Sequence, residues 1–243
     1  MRVSFPILLA MLSAAVGAPG AEWTAPKLAQ AMAEAVEDGD AIARVKMTTP
    51  ETGVLQIRIK SRRGGSKAAV AYEILWPNER KGEGFVLRQS RGGAAQGALK
   101  TASGAVSKLG ASDLSQPLFN TALAYADAIE NFFRWENQSL SGTEAVGKTD
   151  CIVLESKPGG GEASLYGKVR SWIDPDHLVT MRVEKYDKSG QLARRIETTQ
   201  VAKDDRGRHV PAGMSVRAGG KVTEIDGVNI RHDVTHADAD FAF

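Results

Sequence analysis

The sequence is poor in the residues that catalysis and metal binding use. Its 243 residues include one cysteine and four histidines. The nucleophile-elbow, HExxH, P-loop and dinucleotide-binding glycine patterns do not occur in it. Because no recognisable acid, base or nucleophile set is left, we predict no catalytic residue, no cofactor and no enzyme activity.

The single cysteine, Cys151, excludes an intramolecular disulfide. It is followed by Ile-Val-Leu, and a thiol in such an apolar run is typical of a protein core. A reactive cysteine would need a partner such as histidine, and no histidine lies near Cys151 in the sequence. We predict a buried core thiol.

The histidines offer one cluster that could suit a metal, formed by His232 and His236 with several aspartates nearby. This segment has strand character, and residues four apart on a strand share a face but lie roughly 13 Å apart. Joint ligation by the two histidines is therefore disfavoured, and we predict no metal site.

Charge also gives no functional lead. Lysine and arginine number 31 and aspartate and glutamate 29, so the formal net charge is +2, with both signs interspersed. A nucleic-acid-binding surface would show a basic excess. We predict no nucleic-acid partner and expect a monomer.

The amino terminus has the three parts of a secretory signal peptide. Arg2 supplies a positive charge, residues 5–16 form an apolar run, and small residues follow. The run is shorter than the ~20 residues that span a bilayer. We predict a signal peptide over residues 1–21, cleaved near Gly20 or Ala21, and export of the mature chain.

The mature chain, residues 22–243, has the size of one domain. It opens with Leu28, Met32 and Val36 spaced by four residues. This spacing gathers apolar side chains on one face of a helix. We predict a helix over residues 22–38.

A hydrophobic period of two then indicates strands. Residues 55–60 and 70–76 alternate apolar and polar side chains, with a turn cluster between them, and residues 84–89 follow as a third strand. Six more strands are predicted at residues 139–146, 149–157, 166–174, 180–187, 193–202 and 210–217, and residues 221–243 form a tail. Tight turns and the lack of crossover helices favour an antiparallel meander.

Two middle segments differ from the strands. Residues 92–112 are dominated by glycine, alanine and serine, which predicts a loop that could act as a mobile flap. Residues 121–135 are rich in aromatic side chains, although aromatic residues make up only 6% of the chain. We predict an amphipathic helix there, which could be a lid or ordinary core.

Several of these runs resemble the LolA-like group, the family of outer-membrane lipoprotein-sorting proteins. The best match is the run YGKVRSWID at residues 166–174, continued by MRVEKYDKSGQL at residues 181–192. It is similar to the family's strand ending in Trp-hydrophobic-Asp, followed by a turn and a hairpin containing Glu-x-Tyr-Asp-x-x-Gly. LWPNERK at residues 75–81 and DCIVL at residues 150–154 also resemble family strands. The resemblance spans roughly residues 41–243.

The resemblance implies an α+β, mainly β fold: a strongly curved antiparallel sheet that forms an incomplete half-barrel, with helices covering its concave face. Between sheet and helices such proteins hold an apolar cavity for acyl chains. The side chains expected to line it here are Leu55, Ile57, Ile59, Val70, Tyr72, Ile74, Trp76, Phe85, Leu87, Ile129, Phe132 and Phe133.

The function implied by the resemblance is that of a periplasmic carrier or chaperone, which moves acyl chains of lipoproteins or lipids across the aqueous space between membranes. Its partners would be the acylated cargo, an inner-membrane exporter or extraction complex, and an outer-membrane acceptor. Each buried methylene gains about 0.8 kcal/mol, so an acyl chain of about 14 methylenes gains about 11 kcal/mol. A membrane offers the same gain, which keeps transfer reversible.

Two other classes stay open. The chain could be an assembly or structural protein that binds a protein partner in its groove or at a sheet edge. A hydrolase acting on envelope material is disfavoured by the lack of a catalytic set. A closed apolar cavity would favour the lipid carrier, and an open groove with a polar lining would favour the peptide binder.

Overall fold

The computed structural model describes residues 23–37, 39–64 and 66–242. The predicted signal peptide lies outside these residues. The described chain contains one α-helix, α1 (Ala25–Val36). It also contains thirteen strands: β1 (Gly39–Thr49), β2 (Gly53–Gly64), β3 (Lys67–Trp76), β4 (Gly84–Ser90), β5 (Gln96–Lys100), β6 (Val106–Leu109), β7 (Asn137–Val146), β8 (Thr149–Lys157), β9 (Tyr166–Asp174), β10 (Val179–Asp187), β11 (Leu192–Lys203), β12 (His209–Ala218) and β13 (Lys221–His232).

All thirteen strands form one antiparallel sheet, in the spatial order β6-β5-β4-β3-β2-β1-β13-β12-β11-β10-β9-β8-β7. Two meanders meet where β1 pairs with β13, with Ala43 opposite Ile230 and Met47 opposite Ile225. β6 and β7 are the outer strands and do not pair with each other in the described part of the chain. The sheet is therefore an open half-barrel, which confirms the predicted fold class.

The six strands predicted after residue 137 are confirmed, with ends that differ by at most two residues. The tail predicted over residues 221–243 is wrong. Its first part is β13, which lies in the middle of the sheet between β1 and β12. Thr223 is a fully buried residue of this strand, so an inward-facing position carries a polar side chain and the apolar alternation is weak.

The predicted amino-terminal helix is α1. Leu28 and Met32 are buried on one face, together with Ala29 and Ala33. Thr24 precedes the first turn and Pro26 lies within it, where a missing backbone N–H costs no intrahelical hydrogen bond. The helix ends at Val36, and the N–H of Glu37 donates to the carbonyl of Ala33.

The prediction of a loop over residues 92–112 is wrong, because the segment forms the hairpin β5–β6 at the edge of the sheet. One of its small residues, Gly97, is required by close packing. A Cβ atom on Gly97 would lie 1.8 Å from the carbonyl oxygen of Val86 on β4. The glycine therefore permits the approach of two strands, which is a known use of glycine within a sheet.

The prediction of an α-helix over residues 121–135 is also wrong. This part of the chain contains short 3₁₀ turns at Tyr125–Ala128 and Phe132–Arg134 with irregular backbone between them. It belongs to a longer connection, residues 110–136, which we call the crossing segment because it runs from β6 to β7 over the inner face of the sheet. The backbone N–H of Ala122 donates to the Thr223 hydroxyl of β13 at 2.8 Å, which fixes the crossing segment over the middle of the sheet.

Two hydrophobic clusters fill the inner face. The larger joins β1–β4 to the crossing segment, and the second joins α1 to the end of the crossing segment and to β8–β10. A third, small cluster contains Cys151, Val153 and Trp172. Val153 and its neighbour Leu154 belong to different clusters, so the third cluster lies on the outer face. The Cys151 side chain is fully buried, as predicted.

Candidate functional site

Most of the predicted lining residues lie on the inner face, but they pack against the crossing segment. Those in the larger cluster are Leu55, Ile57, Ile59, Val70, Tyr72, Ile74, Phe85, Leu87 and Ile129. Phe132 and Phe133 lie in the second cluster beside α1. Phe85 is typical: its ring centroid lies 4.7 Å from that of Tyr72 and 4.9 Å from that of Tyr125. These side chains form much of the solid core of the half-barrel.

Trp76 is on the opposite face from the one predicted. Ile74 pairs with Ile57, but Trp76 pairs with Gln56, so β3 carries one extra residue at this point. A bulge of this kind reverses the alternation of side chains beyond it. The Trp76 side chain therefore leaves the inner face and is 45% exposed.

A small apolar cavity remains at one side of the crossing segment, and we call it the apolar chamber. Its volume is about 180 Å³. The β4–β5 turn, the crossing segment and residues 163–165 form its walls, and most of the wall side chains are small or aliphatic: Ala94, Ala95, Ala111, Leu114, Ala126, Ile129, Ala163 and Leu165. Ile129 is the predicted lining residue that contributes to this wall.

A second cavity of about 70 Å³ adjoins the first, and we call it the polar chamber. The two share Gln89, Ile129, Glu130 and Ala163 as wall residues. Charged side chains of both signs surround the polar chamber: Glu37, Arg63, Lys67, Arg91, Arg134 and Glu162. Together the chambers offer an apolar space next to a hydrogen-bonding one, which suits a ligand with an apolar and a polar end.

Buried charges hold the crossing segment beside the chambers. The Asp127 carboxylate accepts hydrogen bonds from Lys185 Nζ at 2.7 Å and from the Tyr166 hydroxyl at 2.8 Å, and Arg194 lies 2.9 Å away. Burial alone would raise the pKa of Asp127, but Lys185 and Arg194 hold this pKa below its ordinary value. The crossing segment is therefore tied to β10 and β11 by ion pairs and to β9 by a hydrogen bond, and no sequence pattern predicted these contacts.

Glu130 and Asn131 follow on the same segment and lie at the chambers. The side-chain atoms Glu130 Oε2 and Asn131 Oδ1 are buried and have no hydrogen-bond partner among the described residues. Burial raises the pKa of Glu130, an effect that Lys185 and a hydrogen bond with Ser164 oppose only in part. The carboxyl is therefore easier to protonate than an exposed glutamate.

This raised pKa predicts a pH-dependent stability difference between the wild type and the variant Glu130→Gln. When the pKa of a carboxyl is higher in the folded state than in the unfolded state, the protein loses stability as pH rises above the ordinary glutamate value of 4.5. We expect Glu130→Gln to be more stable than the wild type at pH 8 and equal to it at pH 4. Urea unfolding at both pH values measures the difference, and a constant difference would contradict the assignment.

His232 and His236 do not come together. His236 Nε2 lies 2.9 Å from the Ala41 carbonyl oxygen, and His232 Nδ1 lies 2.5 Å from Asp205. Asp204, Asp205 and His232 place potential ligand atoms within 4.8 Å of one another. However, the Arg208 guanidinium lies 2.8 Å from Asp204 and 3.1 Å from His232 Nε2. An arginine already provides the positive charge of this cluster.

Comparison with known proteins identifies the family. A model of a family described only as "uncharacterized protein" matches residues 67–242, which is more than half of the chain. The chain belongs to this family. No curated protein matches the sequence. In the described residues, no helix is both long enough and apolar enough to cross a bilayer.

Solved structures with the same fold include proteins of the predicted group. A DUF1329 family protein from Desulfovibrio piger superimposes with a TM-score of 0.81 at 23% identity, covering 89% of this chain and 95% of that one. A putative outer membrane lipoprotein-sorting protein domain from Vibrio parahaemolyticus gives 0.77 at 23% identity, with the same coverage. A LolA superfamily protein from Nitrosomonas europaea gives 0.68 at 19% identity, covering 91% and 98%. These matches confirm the predicted LolA-like fold.

Proposed function

We propose that this protein is a periplasmic carrier that binds acyl chains of lipoproteins or lipids and moves them across the aqueous space between membranes. The observation that carries the proposal is the apolar chamber beside the crossing segment, with a polar chamber adjoining it. The fold supports the proposal, since one protein that shares it is described as a putative lipoprotein-sorting protein domain. In this proposal an inner-membrane exporter or extraction complex delivers the cargo and an outer-membrane acceptor receives it.

The chamber walls suit partial and reversible binding of an acyl chain. Each methylene that leaves water for the apolar chamber contributes about 0.8 kcal/mol. Ala94, Ala111 and Ala163 at its rim are exposed, so a chain can enter without opening the core. A chain held at the rim remains accessible to an acceptor, which is what a carrier requires.

The alternative of a protein partner added at a sheet edge is less well supported. β7 is an outer strand, so one of its sides is open to pairing in the described structure. Its pairing with β8 is interrupted between Leu140 and Thr143, with Gly142 at φ +102°. An irregularity of this kind twists an edge strand away from further pairing.

Filling the apolar chamber should weaken acyl binding. Ala163 is exposed and lies on the wall of both chambers, so Ala163→Trp places an indole in the entrance with little effect on the core. Excluding two methylenes costs about 1.6 kcal/mol, so we expect at least a tenfold loss of affinity. Displacement of a fluorescent fatty acid measures it.

The control is Ala102→Trp, which adds the same side chain at an exposed turn between β5 and β6. It should leave the affinity within about twofold of the wild type. If both variants bind as the wild type does, the chamber is not the acyl site. If the wild type binds no fatty acid, phospholipid or lipopeptide, the carrier proposal is wrong.

A further inference from the structure

Two residues that line the chambers carry unpaired oxygen atoms. Glu130 Oε2 and Asn131 Oδ1 are buried and lack a hydrogen-bond partner among the described residues. Glu130 lies on the wall of both chambers and Asn131 on the wall of the polar chamber. Buried polar atoms are nearly always paired in native proteins. Two unpaired neighbours at one cavity therefore indicate a place where a ligand supplies the missing bonds.

The bonds already present decide what kind of group is missing. The Asn131 amide nitrogen donates to Glu37 Oε1 at 3.2 Å. Because a carboxylate only accepts hydrogen bonds, this contact assigns the nitrogen to Glu37 and leaves the amide oxygen free as an acceptor. Ser164 hydrogen-bonds to the Glu130 carboxyl, and Oε2 remains. The missing group must therefore carry N–H or O–H donors.

Both unpaired oxygens are acceptors and one belongs to an acidic side chain, which favours a cationic donor, although Arg63, Lys67 and Arg91 also lie on the wall of the polar chamber. Arg63 already donates to the carbonyl oxygens of Ala128 and Ile129. Arg134 lies 2.7 Å from Glu37, so it is already paired within the polar chamber. Asp127 and Glu162 act on the Glu130 carboxyl as negative charges, and Lys185 acts on it as a positive one. A primary ammonium brings three donors and a positive charge, whereas a carboxylate or phosphate oxygen brings neither. An ammonium thus satisfies both oxygens and stabilises the ionised form of Glu130.

We propose that Glu130 and Asn131 bind the primary ammonium head group of an amphiphile whose alkyl chain occupies the apolar chamber. This inference rests on the proposed acyl-binding function and adds the class of head group. It assigns the two residues a binding role that is separate from the packing of the core.

The test compares two probes that share a chain and a charge. Dodecylamine has three N–H donors at neutral pH, and dodecyltrimethylammonium has none. Hydrogen bonds to charged groups are the stronger ones. We expect the wild type to bind dodecylamine at least about tenfold more tightly in calorimetric titrations below the critical micelle concentration. This comparison requires no variant and so does not depend on the folding of one.

Variants then test whether Glu130 and Asn131 cause the preference for dodecylamine. Glu130→Leu and Asn131→Leu each remove one acceptor, and we expect each to reduce the preference for dodecylamine to about threefold or less. Asn131→Leu should leave the affinity for dodecyltrimethylammonium unchanged, whereas Glu130→Leu also removes a negative charge and should weaken the binding of both probes. Glu130→Gln keeps an uncharged acceptor and should retain part of the preference. Glu51→Leu, in the exposed β1–β2 turn, is the control and should retain all of it.

The outcomes separate this inference from the function on which it rests. If both probes bind the wild type equally, or if Glu130→Leu keeps the full preference, the head-group site is wrong while acyl binding stands. If neither probe binds and dodecanol does not bind, both the head-group site and the carrier function are wrong.

Discussion

Replacing Asp127 with alanine should lower the free energy of unfolding by about 3–5 kcal/mol. The Asp127 and Lys185 side chains are 3% and 4% exposed and lie 2.7 Å apart, with Arg194 close by. Removal of the carboxylate would leave Arg194 and the buried Lys185 without the acidic group that contacts both of them. Urea unfolding followed by circular dichroism measures the loss.

Asp226→Ala is the matched control for this change. Asp226 also pairs with a lysine, Lys46, but the two side chains are 53% and 50% exposed and 3.6 Å apart. Exposed pairs contribute less than about 1 kcal/mol. The Asp127 effect should also shrink as pH falls below the ordinary aspartate pKa of 3.8, because the folded-state pKa is lower still. Equal losses from the two variants at pH 7 would show that the buried ion pairs do not stabilise the fold.

Phe85→Ala should cost a similar amount, about 3–5 kcal/mol. The Phe85 ring is fully buried and contacts the rings of Tyr72, Phe119 and Tyr125, so its removal leaves a cavity between the sheet and the crossing segment. Trp76→Ala removes a larger side chain from the outer face and should cost less than about 1 kcal/mol. Chemical unfolding of both variants measures the two losses of free energy, and a larger loss for Trp76→Ala would place that residue in the core.

The strands were predictable because most of them have one buried and one solvated face. On β2, Leu55 and Ile57 are fully buried while Gln56 is exposed. The sequence of this strand therefore alternates apolar and polar residues. Trp76 follows the same alternation on β3 and was therefore predicted on the inner face. The bulge that moves it depends on pairing with Gln56 of β2, which the local pattern of β3 does not contain.

The conformation of the crossing segment could not be predicted from the sequence, because it depends on tertiary contacts. Ala122, Ala124, Ala126 and Ala128 are all buried, which is a period of two in a segment whose larger side chains suggest a helix. Asp127 fixes the local turn by accepting the Ala124 N–H while its other bonds go to distant strands. Burial against the sheet therefore overrides local helical propensity.

The sequence contains one further signal that locates part of the candidate site. Asp127 and Glu130 are the two acidic residues in the otherwise largely apolar run of residues 122–133. Acidic side chains are seldom buried without a partner or a function. The chambers themselves could not be predicted, because their walls come from the β4–β5 turn, the crossing segment and residues 163–165, which are distant in sequence.

The central claim is that an acyl chain occupies the apolar chamber. Its most direct test is lipid mass spectrometry on the wild type and on Ala163→Trp, each purified from the native host without detergent. We predict about one acylated molecule per wild-type protein and at least a tenfold lower content in the variant. A wild type without acylated cargo, or a variant that carries as much as the wild type, would contradict the claim.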